Sequence, residues 1–354
     1  MAAAKAELSR TLAELQRGID LRWHTGAQLF ASVGDSAVDL VLGEARPEVP
    51  MTSATIVEWA SATKAVTCCS VALLWERAAF DLDDPVCQYV PEFGAMGKDG
   101  VTVRHLLTHT AGLTDPVNRI MPFGEAVAAL CAAPLVDGWT PGARRAYCSA
   151  GMWILAELVA RQVGRPFGTF VREEIFEPLG MVDCWIGMPA EVFRASRERI
   201  AVMPGFAASG TEEWVTWGRP TGGGHGPIGQ LGRFYRSLLE RRLLSSPVIE
   251  AMTARHLAEV YDERLDATVD WGLGFCLSSS YRGHGYGPHA SRSAFGHGGR
   301  NWCVAFADPA FDLAAAVYWN GVVDAATHAE RQHHLLGVLY EDLGLAPTRR
   351  MPQH

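Results

Sequence analysis

The chain has 354 residues, 48% of them hydrophobic and 20% charged, with a formal net charge of −8. That is the composition of a soluble globular protein with a sizeable core, organised as one large domain or two lobes. An acidic balance without a basic run argues against a nucleic-acid partner, because phosphate binding needs a basic surface.

Residues 5–22 place Leu8, Leu12, Leu15 and Ile19 at helical spacing with charges between them, which predicts an amphipathic helix. The start lacks the unbroken apolar stretch of a secretory segment, and no run of roughly 20 apolar residues occurs anywhere. A cytoplasmic protein without a membrane partner is the expectation. Residues 27–43 read as two short strands around Gly34-Asp35. Residues 61–78 predict a helix apolar on several faces, and so buried. After a turn at Pro85 the pattern is mostly helical to about residue 265. "TVRHLLTHTAGL" ends at Gly112, "SAGMWILAELVARQVGRPF" breaks near Gly164-Arg165-Pro166, and "GQLGRFYRSLLERRLLS" forms a further helix. Strand patterns return in "WGLGFCLSS", "RSAFGHGGR", "WCVAFADP" and "LAAAVYWNG", before a closing helix near 325–343 and a frayed tail over 347–354. These elements predict an α+β fold. One antiparallel sheet is built from residues 1–84 and 266–346 and flanked by the terminal helices, with a helical lobe over 85–265 inserted. A cleft between the lobes is the expected place for a site.

The eight cysteines contain no CxxC, and adjacent Cys68 and Cys69 are poor disulfide partners, so buried reduced thiols are expected. Lysine occurs only at positions 5, 64 and 98; elsewhere the basic residue is arginine. A lysine inside a motif is therefore informative.

Such a lysine stands in "WASATKAVT", where Ser61 precedes Lys64 by three residues. On a helix these side chains share a face. A serine hydroxyl is a weak nucleophile until a neighbour takes its proton, and a buried lysine with a lowered pKa can do so. A capped helix carrying a surface lysine would give the same spacing. In "RRAYCSAGMW", Tyr147 precedes a helix and, with a lowered pKa, could shuttle protons beside a lysine; a core tyrosine is the plain alternative. In "SAFGHGGRNWCVAFADP", His297 is followed by Gly298 and Gly299, which allow a ligand close to a strand. A tight bend with an incidental histidine reads the same.

Taken together, in this order, these segments resemble the serine β-lactamase and penicillin-binding-protein superfamily, on its class C and esterase side. "SATK" matches the family's S-x-x-K, "YCS" its Tyr-x-Asn element, and "HGG" its Lys-Thr-Gly or His-x-Gly strand; "LLTHTAGL" and "FADP" agree as well. The resemblance covers roughly residues 20–345. It implies the β-lactamase/transpeptidase-like fold, Ser61 as acylated nucleophile, and Lys64 as its base or as a partner of Tyr147. Tyr147 would protonate the leaving group, and the backbone N–H groups of Ser61 and Arg300 would bind the oxyanion. His297 would bind a substrate group or shape the pocket. Two departures stand out. Ser149 replaces the usual asparagine, and Arg300, Asn301 and Trp302 follow "HGG" where small residues are common. The first weakens recognition of a β-lactam side-chain amide; the second predicts a reshaped acyl pocket, with Arg300 available to an anionic substrate.

Other patterns are weaker. "TGGGHGPIG" lacks the lysine of a phosphate loop. His105 and His109 stand at i and i+4, but without the acidic residue of a metalloprotease helix, so no metal is expected. Cys148 is read as packing rather than reactive. Trp214, Trp217, Trp271 and Trp302 are candidates to line a pocket. The expectation is acyl transfer from a small-molecule ester, thioester or amide to water, an amine or an alcohol. No cofactor, metal or ATP is needed, and a role in specialised metabolism is expected. A β-lactamase or D-alanyl peptidase, and a non-catalytic binding protein that keeps the fold, remain as alternatives.

Overall fold

The computed structural model describes residues 8–117, 120–278 and 285–346. Residues 5–7 of the first predicted helix and the tail over 347–354 lie outside that set.

The first helix is α1, Ser9–Asp20, followed by a hairpin of β1, Gly26–Val33, and β2, Ser36–Arg46. Gly34 turns it with a φ of 53°, a conformation that costs a glycine nothing. Short strands β3, Val49–Pro50, and β4, Val57–Glu58, lead into α2, Thr63–Glu76, which is buried along nearly its whole length. The next segments are α3, Val103–Leu107, and α4, Ala150–Val163. Strands β5, Trp185–Ile186, and β6, Gly224–Gly226, follow, and then α5, Ile228–Leu239. The second half of the chain supplies β7, Leu257–Asp262, β8, Ala267–Trp271, and β9, Cys276–Leu277. It continues with β10, Phe295–Gly299, β11, Cys303–Asp308, and β12, Leu313–Trp319, and closes with α6, Ala325–Asp342.

Among the described residues, strands from both ends of the chain form one nine-stranded sheet in the order β3-β2-β1-β12-β11-β10-β9-β8-β7. Every pairing in it is antiparallel, and Ala27 opposite Trp319 joins the two ends of the chain. β1 and β12 are buried almost throughout, so both faces are covered. On one face Leu15 of α1 and Leu335, Leu336 and Leu339 of α6 form a core with Leu29, Val304 and Val317. On the other, the larger core runs through α2, α4 and α5.

Two features of the middle stretch differ from the sequence expectation. β7 lies within residues 85–265, yet it is the sheet's edge strand. Its Glu259 and Tyr261 face solvent; such polar side chains hide a strand from hydropathy, and the Glu259 charge protects its edge. The "TVRHLLTHTAGL" helix stops at Leu107, well before Gly112. His109 takes a φ of 59°, its N–H bonds back to Leu106 O at 3.3 Å, and that of Thr110 to His105 O at 2.9 Å. This is a Schellman ending with histidine in the left-handed position that glycine usually fills. Among the described residues, no helix is long and apolar enough to cross a membrane.

Candidate active site

The chain enters α2 through a tight turn over Ala60–Ala62 that is locked on both sides. The N–H of fully buried Trp59 donates to Gly224 O at 2.9 Å, and its indole N–H to Gly226 O at 3.0 Å. The Thr63 hydroxyl accepts from Gly224 N–H at 2.9 Å. A Cβ on Gly224 would sit 2.6 Å from the Trp59 ring, so the "TGGGHGPIG" segment is a glycine wall against this turn. Ala60 is held at a φ of 45°, a left-handed conformation unfavourable for a residue with a Cβ.

Ser61 therefore lies in the turn just before the α-helix. A 3₁₀ turn aligns residues i and i+3, so Ser61 and Lys64 still meet. Lys64 is 1% exposed. Its Nζ lies 3.0 Å from Ser61 Oγ and donates to Thr221 O at 2.8 Å. Burial pulls the Lys64 pKa down to about 7, opposed by Cys68 and Cys148 and assisted by Arg219. Near neutral pH much of the amine is thus uncharged, with a lone pair available to the serine proton.

Tyr147 is carried by a loop tied to the end of β7. Asp262 Oδ2 accepts the Tyr147 N–H at 2.9 Å and pairs with Arg145, both side chains being fully buried. Its other oxygen accepts the N–H groups of Arg264 and Leu265 at 2.9 and 2.7 Å. The Arg145 guanidinium lies 4.2 Å over the Trp271 ring. The Tyr147 ring packs on His109 at 4.6 Å and on Trp271 at 6.2 Å, and Lys64 Nζ is 5.0 Å from its centre. Burial pushes the phenol pKa well up. Nearby Ser61 lowers it by less, through a contact short of an aligned hydrogen bond. This is the reverse of the lowered pKa that a proton-shuttling tyrosine would need from the start: the resting group is a phenol.

β10 forms the facing edge. His297 is buried, and its Nδ1 lies 2.6 Å from Gly298 O, an oxygen that can only accept, so Nδ1 carries the hydrogen. A Cβ on Gly299 would stand 2.1 Å from Trp59 O, so only glycine lets β10 close against the Ser61 turn. Arg300 then takes a φ of 46°. Its turn is pinned from behind: Arg331 donates to Asn301 O, and Asn301 Nδ2 to Val323 O at 2.9 Å.

Between these segments lies a cavity of about 210 Å³ whose lining includes Ser61, Tyr147, His297, Gly298 and Arg300. Leu265, Val269, Trp271 and Cys276 give it an apolar wall.

A beta-lactamase family model matches residues 16–339. The chain belongs to the beta-lactamase family. Over 157 residues it is 33% identical to esterase EstB of Burkholderia gladioli, covering 38% of this chain and 39% of that one. Over 305 residues it is 24% identical to esterase/beta-lactamase LipL of Mycobacterium tuberculosis, covering 73% and 68%. The chain spans under two fifths of the length of the first curated relatives it matches. A penicillin-binding protein homologue from Caulobacter crescentus superposes with a TM-score of 0.81 at 26% identity, over 95% of this chain and 97% of that one.

Within this beta-lactamase family frame the structure sorts the sequence candidates. Ser61, Lys64, Tyr147, His297, Gly298, Gly299 and Arg300 come together. Ser149 sits at the start of α4 and does not line the cavity. Trp302 is buried in the main core and Asn301 is tied to Val323, so of the three residues after "HGG" only Arg300 reaches the cavity. Of the four tryptophans only Trp271 lines it; Trp214 and Trp217 stack on Arg219 at 3.9 and 4.7 Å. His105 caps α3 with Thr102, while His109 packs on Tyr147, so the two histidines share no helix face. Among the described residues, no three His, Cys, Asp or Glu side chains converge as a metal site would need. Burial raises the Cys148 pKa, which disfavours its thiolate. No sequence pattern marks Arg145, Asp262, Arg219 or Thr221, which position the site from distant parts of the chain.

Proposed function

We propose that this protein is a serine acyl-transfer enzyme acting on small esters, thioesters or amides. The observation that carries this reading is the Lys64 amine, buried with its Nζ 3.0 Å from Ser61 Oγ, the serine itself lining an apolar cavity. Ser61 Oγ bonds to the carbonyl carbon while its proton passes to Lys64 Nζ. The backbone N–H groups of Ser61 and Arg300 stabilise the oxyanion. Tyr147 gives its phenolic proton to the leaving group and regains one from the Lys64 ammonium. Water, an alcohol or an amine then takes the acyl group by the reverse path.

The apolar wall over Ser61 favours exclusion of water, so we read the acceptor as an amine or alcohol and the protein as a transacylase; a cytoplasmic setting and a role in specialised metabolism belong to the same proposal. Exchange between an activated acyl donor and such an acceptor needs no ATP or metal. EstB and LipL, both named as esterases, support the acyl chemistry. Ser149, outside the cavity, disfavours a β-lactamase or peptidase.

Intact-protein mass spectrometry with a fluorophosphonate and a panel of 4-nitrophenyl esters tests this. One covalent adduct is expected on the wild type and none on Ser61→Ala. An adduct that survives in Ser61→Ala, or none on either, would sink acyl transfer in favour of a binding protein. Added amines should speed decay of the acyl adduct and appear acylated. Gly299→Ala, by pushing β10 off the Trp59 carbonyl, is expected to slow acylation about 100-fold in stopped-flow, the cost of losing an oxyanion donor.

A further inference from the structure

The acids around the site are already engaged. Asp262 is paired with Arg145, and Glu58 with Arg219 at 2.8 Å. Asp115 is held by the Val117 N–H at 3.1 Å and faces Arg264 and Lys64. Arg300 differs. Among the described residues no carboxylate lies within ion-pair distance of it, and a second cation, Arg219, is close enough to repel it. Its side chain is exposed, yet it belongs to the cavity that holds Ser61. It is also preorganised. The backbone is fixed in its left-handed turn by Arg331 and Asn301, and the guanidinium lies 5.4 Å over Trp302 and 6.0 Å over Phe206. A guanidinium resting on aromatic faces keeps its N–H edge available, and that edge matches a carboxylate in bidentate geometry.

Direction follows from the other wall. Tyr147, the proton donor to the leaving group, packs on His109, Trp271 and His297. Arg300 leans on Phe206 and Trp302 instead, so the leaving group occupies the Tyr147 side and the acyl group extends toward Arg300. Resting on the acyl-transfer reading, we propose that the acyl group this enzyme transfers carries an anionic terminus, a carboxylate, and that Arg300 selects for it.

The test compares aryl esters in matched pairs. One pair is mono-(4-nitrophenyl) glutarate and its neutral carboxamide analogue. A second pair carries the charge on the leaving side, as 3-(butanoyloxy)benzoate and its benzamide. The expected result is a wild-type kcat/KM preference for glutarate over its carboxamide that shrinks with added salt. In Arg300→Gln that ratio should fall about tenfold or more, since a charged hydrogen-bonded pair is lost. Dividing by the neutral ester removes any general loss from the altered cavity. Arg300→Glu should invert the preference toward an ester with an ammonium terminus. An unchanged glutarate ratio in Arg300→Gln would overturn the proposal, and a loss confined to the leaving-side pair would overturn its placement. If no ester acylates Ser61, the acyl-transfer reading fails separately. Calorimetric binding of the glutarate and carboxamide esters to Ser61→Ala, with and without Arg300→Gln, still decides whether Arg300 is an anion site.

Discussion

Replacing Lys64 with methionine is expected to slow acylation of Ser61 by about 10²–10⁴-fold, the range for losing a positioned general base. Stopped-flow release of 4-nitrophenol reads it directly. The wild-type acylation rate should rise with pH and level off above about 7, because the amine must be neutral to take the serine proton and its pKa is lowered to about 7. No descending limb is expected through mildly alkaline pH, since burial holds the Tyr147 phenol protonated. In Lys64→Met the limb near 7 should vanish; its persistence would assign it to another group. Stability gives an independent check. Between pH 7 and 10.5 the unfolded chain holds a proton on Lys64 that the folded chain has released. Wild-type stability therefore rises with pH across that window, by on the order of 5 kcal/mol from this group. The methionine variant lacks that slope. Its stability relative to wild type should be greatest at pH 7 and below and shrink toward pH 10.5 in urea titrations, offset throughout by about 1 kcal/mol for the lost bond to Thr221.

Sequence alone reaches the features that are local or periodic. Ser61 and Lys64 are three residues apart, and the scarcity of lysine makes the pair visible. The sheet's central strands are apolar runs between turn residues, and so are legible as well. What sequence misses depends on chain pairs far apart, or on a backbone turn that breaks a period. Extending the α3 periodicity to His109 puts it on a helix face with His105. The left-handed turn at His109 instead swings it against Tyr147. Three bulky residues after "HGG" predict a wall, but the pinned turn sends Trp302 into the core and leaves Arg300 alone at the cavity. Ala60, His109 and Arg300 each hold a positive φ around one site. Each costs of order 1–3 kcal/mol, so the surrounding fold must impose it. That imposition comes from Gly224, Thr110 and Arg331, none of which carries a chemical signature in the sequence.

Asp262→Ala is expected to cost about 3–5 kcal/mol of stability, the range for leaving one member of a buried ion pair uncompensated. The loss has several physical sources. Arg145 keeps a charge among apolar neighbours, and the N–H groups of Tyr147, Arg264 and Leu265 lose their shared acceptor. Urea denaturation measures the sum, and a companion variant separates the parts. Replacing the pair together, Arg145→Met with Asp262→Leu, removes the stranded charge and should recover most of the stability. It does not restore an acceptor for the Tyr147 N–H. If Asp262 acts by positioning Tyr147, the double variant stays slow in acylation although it is folded, and its kcat falls more than its KM rises. Recovery of both stability and kcat would show instead that the pair serves the fold alone, and that Tyr147 is placed by its packing on His109 and Trp271.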